Sequence, residues 1–143
     1  MMMAHSVNYL SILIAAVAAW LFGGVYYTAL GKPWMAAQGK TMEQCQAEYA
    51  GKSGAAKSVP FILVFVAEII IAWALYGLLV HMNAFTLRGG VISAVLCWFG
   101  FVVTTLTSNY AFHGRRPMLT VIDSGAWLGA FVIMGAIVGW MGK

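Results

Sequence analysis

The sequence predicts an all-α fold: a polytopic membrane protein whose four transmembrane helices form one compact bundle. Hydrophobic residues make up 62% of the 143-residue chain and charged residues only 8%, whereas soluble domains carry about a quarter charged residues. Four apolar stretches are each long enough to cross about 30 Å of hydrocarbon as a helix. These runs are continuous, unlike the alternating strands of a membrane barrel. We place the helices at residues 7–30, 58–82, 90–113 and 118–141, in a single domain covering residues 1–143.

Positively charged residues are concentrated in two connecting loops. Six of the eight Lys and Arg residues lie there: Lys32, Lys40, Lys52, Lys57, Arg115 and Arg116. Because loops rich in Lys and Arg stay on the cytoplasmic side, we expect both termini outside, in a bacterial cytoplasmic (inner) membrane. The net charge of +4 follows from this pattern, so it indicates contact with the lipid bilayer and not with nucleic acid.

Small residues occupy every fourth position of the first helix, at Ser11, Ala15, Ala19 and Gly23. Side chains four apart share one helical face, and small residues on such a face let membrane helices pack closely. Tyr27 continues the same spacing. It belongs either to the aromatic belt at the membrane interface or to a binding site at this end of the bundle.

The loop over residues 31–57 is the longest segment between predicted spans. Thr41-Met-Glu-Gln44 is a capping box, so a short amphipathic helix is predicted from Met42 to about Ala50, with Gly51 ending it. Trp34, earlier in the loop, is expected to lie among lipid headgroups, where Trp is enriched.

Glu68 is the acidic residue of the second helix and lies eight residues after Pro60, about 12 Å along the helix. A carboxyl group inside a membrane is costly, so it faces the bundle interior or water and marks a functional site by default. The alternative is a protonated acid that is hydrogen-bonded to a neighbouring helix.

A polar stripe runs along the end of the third helix. Thr105, Asn109 and His113 recur at a spacing of four, which keeps them on one face. Gly114-Arg115-Arg116-Pro117 follows as a turn with two fixed positive charges. A polar stripe that enters the membrane and ends at two arginines predicts a binding site.

Asp123 in the fourth helix lies about 9 Å from that turn by the same helical rise. Asn109 lies at a similar depth in the third helix, so Glu68, Asn109 and Asp123 are predicted to form one polar band. His113 with Arg115 and Arg116 would close this band. The predicted binding residues are Tyr27, Glu68, Thr105, Asn109, His113, Arg115, Arg116 and Asp123.

The fourth helix also carries two pairs of glycines spaced four apart, Gly125 with Gly129 and Gly135 with Gly139. Such pairs allow close helix contact. They serve either packing within the bundle or contact with a second subunit.

Four short motifs stand out along the chain: Asn8-Tyr9, Val25-Tyr26-Tyr27, Gly31-Lys-Pro-Trp-Met35 and Phe112-His-Gly-Arg115. Together they resemble the bacterial integral-membrane family catalogued as domain of unknown function 1761. The resemblance implies a small four-helix membrane protein and no known activity. It also implies an aromatic-acid-x-Arg run after the third helix, where this chain has His113 in place of the acid.

Two functions remain open. The first is binding or transport of a small polar solute or cation at the polar band, for which a chain of this size would form a homo-oligomer. The second is an accessory or assembly subunit of a larger membrane complex, in which Glu68 and Asp123 would fix the helix register.

An enzyme or cofactor protein is not expected. His5 and His81 are predicted at the outer face and His113 at the inner face, so the three cannot share a site. Cys45 and Cys97 form no metal-binding motif, and no serine or cysteine lies in a nucleophile motif. We therefore predict no metal or cofactor.

Overall fold

A computed structural model describes residues 6–143 as a helical bundle. Its helices are α1 (Tyr9–Ala29), α2 (Gly31–Ala37), α3 (Met42–Ala50), α4 (Gly54–Met82), α5 (Leu87–Cys97), α6 (Thr104–Phe112) and α7 (Pro117–Met141). A π-helical turn, Trp98–Val103, joins α5 to α6 without a break. His5, which the sequence assigned to the outer face, lies outside the described residues.

Four of these helical segments are long and apolar enough to cross a membrane, which confirms the predicted fold class. They are α1, α4, the continuous span Leu87–Phe112 and α7. The bounds agree with the predicted ones within two residues, except that the third span begins at Leu87 and α4 at Gly54, ahead of its apolar run. Ser53 starts it there, because its hydroxyl accepts a hydrogen bond from the N–H of Ala56 at 3.2 Å and so satisfies a free donor of the first turn.

The short helix α3 has the predicted bounds and the predicted capping box. The Thr41 hydroxyl accepts from the N–H of Gln44 at 3.2 Å, and the Gln44 side chain accepts from the N–H of Thr41 at 3.0 Å. Its residues are exposed or half-buried. The helix therefore forms from local signals rather than from packing into the bundle.

Helix α2 was not predicted, because only the capping box at Thr41 indicated a helix within residues 31–57. It ends at Ala37, and Gly39 follows two residues later with a positive φ of 75°, which suits glycine. The N–H groups of Gly39 and Lys40 bond to the carbonyls of Ala36 and Met35, a Schellman cap. Arg116 adds a further bond, from Nη1 to the Ala36 carbonyl at 2.8 Å. These bonds fix α2 beside the start of α7.

Helix α7 lies at the centre of the bundle and contacts α1, α2, α4, α5 and α6. Its buried face includes Ala130, Met134 and Val138, which join the main apolar core with residues of α1, α4 and α5. The end of the bundle at which α1 ends and α7 begins is called the loop end below.

The glycine pairs of α7 are used within the bundle. Gly135 and Gly139 lie so close to Gly90 of α5 that a Cβ on Gly90 would overlap the Gly135 carbonyl. Gly125 and Gly129 face aromatic side chains of α1. Of the two uses that the spacing allowed, the structure therefore shows packing within the chain, and these faces are not free for a second subunit.

The small-residue face of α1 also packs as predicted. Ser11, Ala15 and Ala19 are fully buried because α1 packs against α7 and α4 along this face. Gly23 is half-buried, with open space where its Cβ would be. The contact between helices therefore loosens toward the loop end.

Candidate functional site

Asp123 is buried near the start of α7, with 8% of its surface exposed. Its Oδ1 accepts hydrogen bonds from Tyr27 Oη at 2.7 Å and from Trp34 Nε1 at 3.1 Å, and its Oδ2 accepts from Tyr110 Oη at 2.7 Å. All three groups donate, so both oxygens act as acceptors, as those of an ionised carboxylate do. We call these four residues the Asp123 cluster.

Each donor of the Asp123 cluster comes from a different helix. Tyr27 lies in the last turn of α1, Trp34 in α2 and Tyr110 in α6. The three aromatic side chains pack on a small apolar core of their own, formed by Ala37, Leu119 and Ile122. This core is separate from the main one, and it positions the rings of the three donors around the start of α7.

Two more aromatic donors hold the backbone on either side of Asp123. Tyr26 Oη donates to the Ile122 carbonyl at 2.7 Å, and Trp98 Nε1 donates to the Ser124 carbonyl at 2.8 Å. Because these donors come from α1 and from the third span, they fix α7 in rotation and in height. The Asp123 carboxylate is thereby held in a constant position.

The Asp123 cluster borders an open cleft with a volume of about 1110 Å³. The cleft lies between the loop ends of α1, α4, α6 and α7, and α2 forms part of its wall. Asp123 is the charged residue of its lining. Six side chains of the lining are aromatic: Trp20, Tyr27, Trp34, Phe61, Tyr110 and Trp127.

A second, smaller cleft of about 530 Å³ lies between α1 and α4, bordered by Val17, Phe65 and Tyr49. The Lys57 ammonium stands 4.8 Å from the centre of the Tyr49 ring there. No carboxylate lines this cleft, so the Asp123 cleft is the better candidate for a site.

Asp123 has no cationic partner within residues 6–143. The ion pair in this part of the chain joins Lys40 to Glu48 at 2.7 Å. The hydrogen bond from Lys40 lowers the pKa of the exposed Glu48 carboxyl. Arg115 and Arg116 are exposed, and Arg116 uses its guanidinium on the Ala36 carbonyl. The arginines therefore sit near the loop end without neutralising Asp123.

The predicted polar stripe does not face the Asp123 cluster. Thr105, Asn109 and His113 are exposed, and none of them lines the cleft. The Nδ1 atom of His113 lies 2.6 Å from the Asn109 carbonyl, so it closes the helix end locally. The structure thus separates this stripe from Asp123, although the sequence placed both in one band, and its part in binding stays a prediction.

The π-helical turn explains this difference. In a regular helix of 3.6 residues per turn, Asn109 would lie about 20° from Trp98, which points at α7, and Tyr110 about 120° away. A π turn adds one residue to the helical repeat, so Tyr110 takes the inward position. Asn109 is rotated outward with the rest of the stripe.

Glu68 is buried, with 3% of its surface exposed, but it is not part of the cleft lining. Its Oε2 has no hydrogen-bond partner among residues 6–143. The alternative interpretation of Glu68 was an acid that is hydrogen-bonded to a neighbouring helix. Within the described part of the chain, the structure does not show such a bond for Oε2. Glu68 and Asp123 are both buried but belong to different environments.

Trp34 and Tyr110 are the site residues that the sequence analysis missed. Trp34 was assigned to the headgroup layer, but its indole N–H donates to Asp123. Its signal was the run Gly31-Lys-Pro-Trp34, which returns the chain to the bundle as α2. Tyr110 had no signal, because a regular helix would point it away from α7.

Four spanning helices around a buried carboxylate define the class of this molecule: a multi-pass membrane protein with a polar site inside its bundle. The chain belongs to the family described as protein of unknown function (DUF1761), which it matches over residues 10–139. This match confirms the resemblance seen in the sequence. No curated protein and no solved structure matches the chain.

Proposed function

We propose that this protein is not an enzyme and that it binds, or carries across the membrane, a small polar solute or cation at the Asp123 cluster. One observation carries the proposal: a buried carboxylate opens into a cleft of about 1110 Å³ and has no cationic partner within residues 6–143. Ionisable groups inside a membrane normally pair with one another or mark a pathway or a ligand site.

The arrangement around Asp123 supports a site that is formed before the ligand arrives. Donors from α1, α2 and α6 hold both carboxylate oxygens, and the backbone on each side is bonded to Tyr26 and Trp98. A group held in one geometry loses little entropy on binding, which favours affinity. A ligand would reach Asp123 through the open cleft at the loop end.

The distribution of positive charge supports a cytoplasmic opening for this cleft. Lys32, Arg115 and Arg116 lie at the loop end, and Lys and Arg mark the cytoplasmic side of a membrane protein. On this orientation, in a bacterial inner membrane, a solute from the cytoplasm reaches Asp123 directly. A complete path across the membrane would require α4 to move or a homo-oligomer to form.

The proposal is tested with Asp123→Asn, which removes the charge and retains the shape. The amide oxygen still accepts from Tyr27 and Trp34, and the amide N–H₂ donates to the Tyr110 oxygen, so we expect the fold to persist. Purified wild type and variant are screened against polar solutes and cations by thermal unfolding. We expect a set of compounds that raise the Tm of the wild type and not that of Asp123→Asn.

Glu43→Gln is the matched control, because it makes the same chemical change on the exposed face of α3. It is expected to respond like the wild type. If Asp123→Asn folds and every compound shifts all three proteins equally, Asp123 is not a ligand site.

The exposed polar stripe favours a second candidate, an accessory subunit of a larger membrane complex. Thr105 and Asn109 are exposed within a membrane-spanning helix, where polar side chains normally contact another helix. Native mass spectrometry of the protein from its own membrane separates the two functions. A fixed set of other subunits would favour the accessory role, and a monomer or homo-oligomer with a small adduct would favour the site.

A further inference from the structure

We propose that the ligand of the Asp123 cleft is an organic ammonium ion with an apolar body; this inference rests on the proposed function. The juxtaposition that carries it is one unpaired carboxylate in a cleft whose wall is mainly aromatic and aliphatic. Each of three features restricts the ligand further: the free acceptor position on Asp123, the aromatic lining and the volume of the cleft.

The hydrogen-bond capacity of Asp123 leaves one position open. A carboxylate offers about four acceptor positions, and Tyr27 and Trp34 fill both on Oδ1. Tyr110 fills one on Oδ2. The remaining position on Oδ2 suits a single donor, and an ammonium N–H there would also neutralise the charge.

The aromatic lining suits a positively charged nitrogen. Tyr27 and Trp34 form an edge-to-face pair with ring centres 5.5 Å apart, and Trp20 and Trp127 line the same cleft. Trp and Tyr faces attract cations, and aromatic cages are a recurrent way to bind alkylated ammonium groups. A carboxylate beside such rings excludes anions by repulsion.

A bare metal ion fits this chemistry poorly. Hard cations such as Ca²⁺ take six or more oxygen ligands, and within residues 6–143 no three His, Cys, Asp or Glu side chains come together as a metal site. The phenol groups nearest Asp123 already point their hydrogens at it. The cleft thus offers one charged ligand group and a largely apolar wall.

The volume of the cleft indicates that the ammonium group carries an apolar substituent. Pockets for drug-sized ligands measure about 300–1,000 Å³, and this open cleft reaches about 1110 Å³. Ammonium alone would leave the aliphatic wall formed by Leu21, Val25 and Val64 without contact. An amphiphilic amine uses the whole cleft.

The experiment compares two probes of nearly identical shape, benzyldimethylammonium and its uncharged isostere isobutylbenzene. Binding to the protein in phosphatidylglycerol nanodiscs is measured by calorimetry. We expect the ammonium probe to bind the wild type roughly tenfold or more tightly than the isostere. Asp123→Asn is expected to abolish this difference, and Glu43→Gln, which changes an exposed acid of α3 outside the cleft, to retain it.

A second pair of variants tests the aromatic wall without touching the carboxylate. Trp127→Leu removes a ring that lines the cleft, whereas Trp73→Leu removes an exposed ring of α4 outside it. We expect the first to weaken ammonium binding several-fold and the second to leave it unchanged. Equal effects of the two substitutions would overturn the role of the aromatic lining.

The outcomes distinguish this inference from the function on which it rests. If a neutral or anionic solute binds in an Asp123-dependent way and the ammonium probe does not, the ammonium class is wrong and the ligand site stands. If nothing binds in an Asp123-dependent way, both fall. Equal affinity for the probe and its isostere also overturns the ammonium class.

The ammonium group has two possible sources, a free amine or the headgroup of phosphatidylethanolamine. Nanodiscs that contain this lipid together with phosphatidylglycerol separate them by native mass spectrometry. Asp123-dependent retention of phosphatidylethanolamine would identify the lipid headgroup, and competition by the free probe alone would identify a soluble amine. Either result supports the class, and indiscriminate retention of both lipids with no effect of the probe contradicts it.

Discussion

Asp123 owes its properties to the kind of neighbours it has. Its partners are two phenols and an indole, which stabilise a negative charge by hydrogen bonding and leave the net charge in place. A lysine or arginine at any of these positions would have closed the site as an ion pair. The result is a carboxylate that is held in one position and has no cationic partner within residues 6–143.

Tyr27→Phe removes one donor from Asp123 and changes little else. Because hydrogen bonds to charged groups contribute about 1.5–3 kcal/mol, we expect the free energy of unfolding to fall by about that amount in detergent. Tyr9→Phe is the control, since Tyr9 is exposed and its loss should be near neutral. Equal stability of the two variants would show that the bond between Tyr27 and Asp123 contributes nothing.

Glu68→Met replaces a buried acid by an apolar side chain of similar length. A buried polar group without a partner costs about 1–3 kcal/mol, and Oε2 of Glu68 is such a group. We expect the variant to unfold at a higher temperature than the wild type. A less stable variant would mean that the carboxyl group gains a partner in the membrane, from another subunit or a ligand.

The acidic residues were the part of the site that could be identified from the sequence. An acidic residue in an apolar helix stands out by composition, so Asp123 and Glu68 were identified as buried groups, and the spacing in α1 led to Tyr27. Trp34 and Tyr110 could not be found in this way. Aromatic residues are common at membrane interfaces, and their partners depend on how α2 folds back and how the third span is wound.

The third span shows how one irregular turn redirects a whole helix face. Trp98 and Tyr110 both bond to adjacent residues of α7, which a regular helix would prevent because 12 residues rotate by about 120°. The sequence WFGFVV contains no proline and one glycine. Nothing in it predicts a π turn, which is why periodicity placed the polar stripe inside.

Helix α5 packs on α7 through three glycines, Gly90, Gly135 and Gly139. A substitution at Gly90 tests this contact. Gly90→Ala would force its Cβ into the Gly135 carbonyl, and overpacking of this kind costs about 1–3 kcal/mol or more. We expect a clearly lower Tm and a weaker band of folded protein on semi-native gels. Gly77→Ala is the control, because open space surrounds that position.

If Gly90→Ala and Gly77→Ala were equally stable, the backbones of α5 and α7 would not approach as closely as the structure indicates. The four spans themselves were predictable, since their length and hydropathy are properties of the sequence alone. The partners of the glycine pairs were not predictable, because the same spacing serves contacts within and between chains.

At the scale of the whole molecule, the bundle is closed at one end and open at the other. The main core joins α1, α4, α5 and α7, whereas at the loop end the start of α4 is largely exposed and the cleft separates it from α6. A membrane protein with a cleft at one end presents its site to one side of the membrane. On the proposed function, the orientation of the chain therefore decides which compartment supplies the ligand.

The charge distribution predicts that orientation. With Lys32, Arg115 and Arg116 in the cytoplasm, the C-terminus lies outside. We expect alkaline phosphatase fused after Lys143 to be active and green fluorescent protein at the same position to be dark. Fusions in the loop near Gly51 should give the reverse pattern. A fluorescent C-terminal fusion would place the cleft on the opposite side.

The central position of α7 has a consequence for how the protein is made. Tyr27 and Asp123 are 96 residues apart in the chain, and α7 is synthesised after the other three spans. Three spans therefore enter the membrane before α7 is made. Tyr27, Trp34 and Tyr110 lack their acceptor, Asp123, until α7 follows. The Asp123 cluster therefore forms only once α7 has entered the membrane, so a chain truncated before α7 yields helices without it.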